Sequence, residues 1–436
     1  MCSFISPATS SIVAPSLSTI ARDLHITNNV EQQMVLSIAY LGYAVGLLLF
    51  GQLSEVFGRL YVMHAANILR LIFNVACGVS GNAASLITCR FCAGVVGCAP
   101  LAISGGVLSD IWRAEERGAA FSMYALVPLL GSALGPVAGG FITERTSWRW
   151  SFYAAAMMDG AIQLLSIACL RETYAPTLLQ KQARQARKAT GNEDLRAEGE
   201  DLPTSIAEIM RKGFVRPCML LATQPIVQVL AIYMAYVYGL AILVLSSFTS
   251  LWTATYHESI GTAGLNYIAL GMGYIAGTQI CALFNDRAYR ALKARAGGIG
   301  RPEFRIPLML PSSIMVPAGL LLYGWAGQAH IHWAVPDLGA AIFAAGVEVL
   351  TQCVQTYLVD AYSQCAASAL SAASTLRYLA GFTFPMFAPN VYRTLDYGWG
   401  NSLLALLALG LGLPAPLLLW FKGQALRERS SIAANE

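Results

Sequence analysis

Twelve apolar runs of about 20 residues dominate the chain and leave room for few architectures. They fall at roughly 4–21, 33–53, 61–81, 85–108, 119–142, 150–170, 219–250, 264–284, 306–326, 334–358, 366–389 and 402–421. A helix of about 20 residues rises about 30 Å, the thickness of a bilayer's hydrocarbon core. Inside lipid the backbone has no water to bond, so each run must satisfy its own N–H and C=O groups as a helix. The chain is therefore read as an all-α polytopic membrane protein with 12 transmembrane helices. Composition agrees. Only 12% of the residues are charged, against about 25% in soluble domains, and the mean hydropathy is +0.55. A net charge of +4 is too small and too localised to suggest a nucleic-acid partner.

Twelve spans put both termini on one side, and the charges say which. Of 28 Lys and Arg residues, 21 fall in the loops and tail of one side and four in those opposite; Arg70, Arg90 and Arg377 lie inside spans. This bias assigns the first side, with both termini, to the cytoplasm. The first run starts almost at Met1, contains Pro7 and Pro15, and has no basic flank. A cleaved signal peptide needs a positive n-region, so the run is read as a true first helix whose cytoplasmic tail is missing. Were it not to insert, eleven spans and an outside N-terminus would follow. The seventh run is too long for one span, and Pro225 is read as dividing an entry segment from the membrane helix.

The polar stretch 171–216 separates two sets of six spans. The expected organisation is a lobe over 1–170, a linker over 171–216, a lobe over 217–421 and a tail over 422–436. Gln180 to Lys188 reads as a basic helix at the membrane surface, and Ser205-x-x-Glu208 as a capping box opening a second short helix. The halves also echo one another. Glu55 precedes Arg59 by four residues after span two, and Asp286 precedes Arg290 by four after span eight. Parallel six-span repeats with a site between them near the midplane are a known transporter architecture.

Enzyme readings are weak. Gly78-Val-Ser-Gly81 resembles the nucleophile turn of an intramembrane serine protease. That chemistry needs a base near the serine, and the histidines (25, 64, 257, 330, 332) avoid the middle of every span. His330-x-His332 offers too few ligands for a metal, and no phosphate-binding loop is present. The ten cysteines lie in or at the ends of apolar runs, and Cys89-x-x-Cys92 lacks a partner pair, so packing is the expected role. No cofactor is expected.

Several features inside the spans bear on function. Gly131, Gly135 and Gly139 recur every four residues and form a smooth groove on one helix face, which lets another helix approach closely. Pro136 cannot donate to residue 132, so a bend is expected there. Asp159 in span six and Glu348 in span ten are carboxyls near span centres, where ionisable groups are expensive and usually functional. Glu348, Gln352 and Gln355 form a polar stripe (i, i+4, i+7) that should face a cavity or a partner helix. Tyr40, Tyr43, Gln224, Gln228, Tyr233, Tyr236, Tyr238 and Asn266 offer aromatic and amide groups to an amphipathic organic ligand; helix packing explains any one tyrosine equally well.

Longer motifs carry a family likeness. Gly51-x-Leu-Ser-Glu55-x-x-Gly58-Arg59 resembles the loop-2/3 signature of the major facilitator superfamily, with Glu55 where that signature usually has Asp and with Val56 and Leu60 in place of basic residues. Arg90-x-x-x-Gly94 resembles its fourth-span motif. Gly131-x-x-x-Gly135-Pro136-x-x-Gly139-Gly140 matches the fifth-span signature of its proton antiporters. Trp148-Arg-Trp150, Arg171-Glu-Thr-Tyr-Ala-Pro176, Arg301-Pro-Glu-Phe-Arg305, Gln355 to Tyr362 and Gly398 to Ser402 are similar to stretches of fungal twelve-span drug:proton antiporters.

The resemblance implies a two-lobed secondary transporter, acting as a monomer in the plasma membrane. It would export a small amphipathic compound such as a drug, toxin or secondary metabolite in exchange for protons. Proton-coupled import, for example of a polyamine or nutrient, is the alternative. It also implies a latch at the cytoplasmic end, formed by Gly51, Glu55, Gly58, Arg59 and Asp110: Glu55 would face a helix N-terminus across the lobe interface, and Arg59 would reach Asp110. Proton coupling or the central cavity would draw on Arg90, Asp159, Glu348, Gln352, Gln355 and Arg377. Many proton antiporters of the superfamily keep an acid in the first span, and none occurs here before Asp23. The glycine groove is expected to pack between the lobes.

Overall fold

Helix follows helix through the computed structural model, which describes residues 2–111, 117–191, 206–298, 300–362 and 365–428. Ten helical stretches among the described residues are long and apolar enough to cross a membrane. Two more spans complete the set. Span one is broken into Cys2–Ser11, Ala14–Ser16 and Leu17–Asp23, because Pro15 has no N–H for the carbonyl of Ser11. The last stretch, Ala366–Arg427, is 62 residues long and holds two spans. They meet at Asp396, whose φ of 54° and ψ of −177° end one helix and start the next.

Local sequence explains most boundaries. Asn28 caps span two (Asn29–Phe57) by accepting the Val30 N–H at 2.9 Å. The span ends at Gly58, whose φ of 92° favours glycine, and span three (Arg59–Val79) starts at the next residue. Asn82 caps span four by accepting the Ser85 N–H at 2.8 Å; Ala83–Gly97 and Ala99–Ile111 form that span, re-started by Pro100. Span five (Arg117–Arg145) runs on through Pro128 and Pro136 as one helix. Span six is Trp148–Cys169. The basic linker run forms the helix Ala175–Thr190, ended by Gly191 at φ 68°. Helix Ile206–Thr223 is divided at Gln224 from span seven, Pro225–Ala254, where Pro225 restarts the chain. Ser205, the expected cap of the box Ser205-x-x-Glu208, lies outside the described residues. Spans eight to ten are Ile260–Leu265 with Tyr267–Arg295, Pro302–Leu308 with Met309–Gln328, and Ala334–Ala361.

Packing repeats with a period of six spans. In the first lobe span one packs on five, two on four, and three on four and six; in the second, seven packs on eleven, eight on ten, and nine on ten. The lobes meet where span two lies on eleven and span five on eight. Large apolar side chains such as Leu164, Ile167, Met272 and Phe421 are exposed on the outside. Buried Arg70, Arg90, Asp159 and Glu348 lie within. This inside-out distribution suits lipid as the solvent.

Candidate functional site

Four tyrosines close the middle of the lobe interface. Tyr40 and Tyr43 come from span two, Tyr238 from span seven and Tyr378 from span eleven. Their rings make a circuit of edge contacts: Tyr40 to Tyr43 at 5.9 Å, Tyr43 to Tyr378 at 5.4 Å, Tyr378 to Tyr238 at 5.8 Å and Tyr238 to Tyr40 at 6.2 Å. Edge-to-face geometry suits the ring quadrupoles. The Arg377 guanidinium sits 4.9 Å from the Tyr238 centroid and 4.7 Å from that of Tyr378, and donates to the Tyr378 hydroxyl at 3.0 Å. Tyr378 carried no sequence signal beyond being next to Arg377.

Span ten brings a carboxylate to the second lobe's inner wall. Glu348 is 8% exposed and accepts from Gln352 Nε2 at 2.9 Å. Its Cβ lies against Gly277 of span eight, where any side chain would collide with it. Gln355 lies about two turns further along the helix and is half-buried.

Arg90 and Asp159 belong elsewhere. Arg90 Nη2 donates to the Ser10 carbonyl at 3.2 Å, and its guanidinium lies 5.6 Å from the Phe152 centroid. Asp159 accepts from Arg70 Nη2 at 2.6 Å and Asn74 Nδ2 at 2.8 Å, a fully buried ion pair between spans three and six. Both residues are buried among spans of the first lobe. Tyr43 joins the two regions: its hydroxyl donates to the Ser6 carbonyl at 2.8 Å and shares a hydrogen bond with Ser10 at 2.6 Å.

Other residues read as ligand-lining have local duties. Gln228 Nε2 donates to the Ala222 carbonyl at 3.0 Å and Gln224 Nε2 to the Thr223 hydroxyl at 3.2 Å, so both close the helix break before Pro225. Tyr236 donates to the Leu404 carbonyl at 2.8 Å, which ties span seven to span twelve. Tyr233 bonds to Ser313 at 2.8 Å. Asn266 Nδ2 donates to Glu258 at 2.9 Å in the turn that opens span eight. Ser80 donates to its own helix at Ala76, 2.9 Å away.

At the basic-loop end each lobe carries an arginine clamp. Arg59 Nε lies 2.6 Å from Asp110, and Tyr174 covers the guanidinium at 5.0 Å. In the second lobe the matching arginine is Arg305, not the Arg290 of the sequence echo. Arg305 lies 2.9 Å from Asp360 and 2.6 Å from Asp286, under Tyr289 at 4.5 Å; among the described residues Arg290 donates to the Asp286 carbonyl, at 3.3 Å. The carboxylate on the N-terminus of span three is Glu172, which accepts from Arg59 N at 3.2 Å and Leu60 N at 3.0 Å. Glu55, expected at such a helix end, is exposed. Glu172 comes from beyond span six, and nothing in its own neighbourhood announces that contact.

The glycine groove faces span one. A Cβ on Gly131, Gly135 or Gly139 would run into the backbone oxygen of Phe4, Ala8 or Ile12 respectively. Both sets advance by four, so two parallel helices touch along matching ridges. This corrects the expectation of a groove between the lobes. Only Gly140 looks across, to Ile260 and Gly264 of span eight. Nearby, Glu144 Oε2 accepts from Gly261 N at 2.6 Å and Ser259 Oγ at 3.1 Å, a bond between lobes that the sequence reading missed.

Such a frame, six spans repeated around a tyrosine-walled seam, is matched by a family model described as Major Facilitator Superfamily over residues 1–385. The chain belongs to the major facilitator superfamily. Among its relatives, it is 43% identical to the efflux pump vrtL of Penicillium aethiopicum, over 99% of this chain and 85% of that protein. It is 42% identical to the MFS-type transporter oryF of Aspergillus oryzae, over 98% and 88%, and 41% identical to the efflux pump radE of Floropilus chiversii, over 97% and 79%. Among solved structures, the partially occluded inward-open form of the xylose transporter XylE from E. coli superposes with a TM-score of 0.70. That match covers 96% of this chain and 95% of that one at 17% identity, a likeness of fold alone. Superfamily membership makes the chain a multi-pass membrane transporter.

Proposed function

We propose that this chain exports a small amphipathic organic compound, such as a drug, toxin or secondary metabolite, in exchange for protons. The supporting observation is the seam itself. Tyr40, Tyr43, Tyr238 and Tyr378 present aromatic faces and hydroxyls at mid-membrane beside Arg377, a wall suited to a mixed apolar and polar cargo. Relatives named as efflux pumps favour the outward direction. The two lobes would rock about the seam, acting as a monomer in the plasma membrane with both termini in the cytoplasm. Glu348, hydrogen-bonded by Gln352, is the proposed proton carrier, and the Arg59–Asp110 and Arg305–Asp360 clamps the proposed latch. No enzymatic step is assigned.

The test is accumulation of a fluorescent amphipathic dye by cells lacking the gene and by cells over-expressing it. Export predicts more dye in the former and less in the latter. The reverse pattern would make the chain an importer and overturn the proposal.

A further inference from the structure

The first lobe holds a partly open polar pocket around Arg70 and Arg90. Ser6 and Ser10 of span one, Tyr43 of span two, Arg70 and Asn74 of span three and Arg90 of span four help to line a cavity of about 20 Å³, room for about one water-sized body. Arg70 and Arg90 are 2% and 3% exposed. A guanidinium stays protonated in proteins, and an uncompensated charge within a membrane span is expensive. Asp159 answers Arg70 alone, with its two oxygens taken by Arg70 and Asn74. Arg90 meets the backbone carbonyls of Ser10 and Leu36 and an aromatic face, and none of them carries a countercharge. Its titratable neighbours, Cys77, Tyr40 and Tyr43, are of types that are uncharged near neutral pH.

The pocket thus holds one unit of positive charge in excess. Arg90 Nε, Arg70 Nε and Arg70 Nη1 have no acceptor among the described residues. A water molecule would accept their hydrogen bonds but leave the charge, and a buried charge is far costlier than a buried dipole.

We propose that this pocket binds one small monovalent anion of halide size, held between Arg70 and Arg90. The anion neutralises Arg90 and fastens span one to spans three and four. The site does not depend on the direction of transport.

Radiolabelled chloride decides the matter, with full-length protein purified in chloride-free gluconate buffer and titrated at constant ionic strength. Wild type should bind about one equivalent, displaced by bromide and not by gluconate. Arg90→Gln removes a charge-assisted donor and should weaken binding by about tenfold or more. Arg90→Lys keeps the charge but replaces the guanidinium fork with a single ammonium, and should weaken it by about fivefold. Size-exclusion profiles establish that each variant is folded. Absence of saturable chloride binding in wild type overturns the proposal, as does undiminished affinity in folded Arg90→Gln. Should Arg90→Gln fail to fold, undiminished affinity in Arg90→Lys overturns it.

Discussion

Arg305 reaches Asp360 at 2.9 Å across 55 residues of sequence, repeating in the second lobe the step of 51 residues by which Arg59 reaches Asp110 in the first. Each arginine opens the third span of its lobe and each aspartate closes the fourth. The pairs are partly exposed, with Asp110 at 20% and Asp360 at 30% of the side chain. Such pairs contribute up to about 1 kcal/mol, a factor of about five in a two-state equilibrium. Asp110→Asn and Asp360→Asn should therefore each lower efflux a few-fold at equal amounts of folded protein, and the double variant more than either. Unchanged efflux in the double variant would remove the latch role.

Span five tolerates no side chain along its groove. Valine at Gly135 or leucine at Gly139 would push against the Ala8 and Ile12 backbone, and overpacking against main chain costs about 1–3 kcal/mol or more. Both variants should lose most folded protein, measured as the monodisperse peak of a fluorescent fusion on size exclusion. Gly105→Ala is the control: a Cβ there meets nothing within 4 Å, and alanine favours helix by about 1 kcal/mol. Equal yields for Gly139→Leu and Gly105→Ala would show that span one does not depend on the groove.

At the opposite end from the clamps, Asp23 ties span one to span six. Trp148 Nε1 donates to it at 2.9 Å and Arg149 at 2.6 Å, and these bonds hold its carboxyl below its ordinary value of 3.8. A depressed folded value means that the carboxylate stabilises the fold above the unfolded pKa and loses that contribution as pH falls through the folded one. Asp23→Asn should thus lower the thermal midpoint at pH 5 and above, with the gap to wild type closing below about pH 3.8. The effect is small, because the carboxylate is 46% exposed. A gap that persists or widens in acid would contradict it.

How much was legible follows from how local each feature is. Span lengths, the turn around Gly58 and the break at Pro225 rest on neighbouring residues, and the sequence announces them; the Asn28 and Asn82 caps are as local but were not named from it. The stripe of Gly131, Gly135 and Gly139 announced a close approach, but a glycine face is equally smooth toward any partner, and only the fold names Phe4, Ala8 and Ile12. Arg305 was quoted in a motif without a partner, since Asp360 lies two spans away. Asn266 and Gln228 looked like ligand donors because an amide's sequence position does not say whether a backbone carbonyl or a turn carboxylate already holds it. Asp159 looked like Glu348 from sequence; the difference between them is Arg70, brought from span three.

That difference separates their mutants. Asp159 neutralises a buried guanidinium, so Asp159→Asn leaves Arg70 uncompensated at a cost of about 3–5 kcal/mol, and should lower the amount of folded protein. Glu348 has an amide neighbour, Gln352 at 2.9 Å, and Glu348→Gln keeps the shape, so the folded amount should hold. If Glu348 carries the exchanged proton, the glutamine variant loses the coupling between proton and cargo, typically about 1–3 kcal/mol or about 5–150-fold. Dye efflux driven by an imposed pH gradient in proteoliposomes should fall by at least about fivefold, while gradient-independent dye binding stays within about twofold of wild type. Efflux by Glu348→Gln that still follows the pH gradient as wild type does would remove Glu348 from the coupling step.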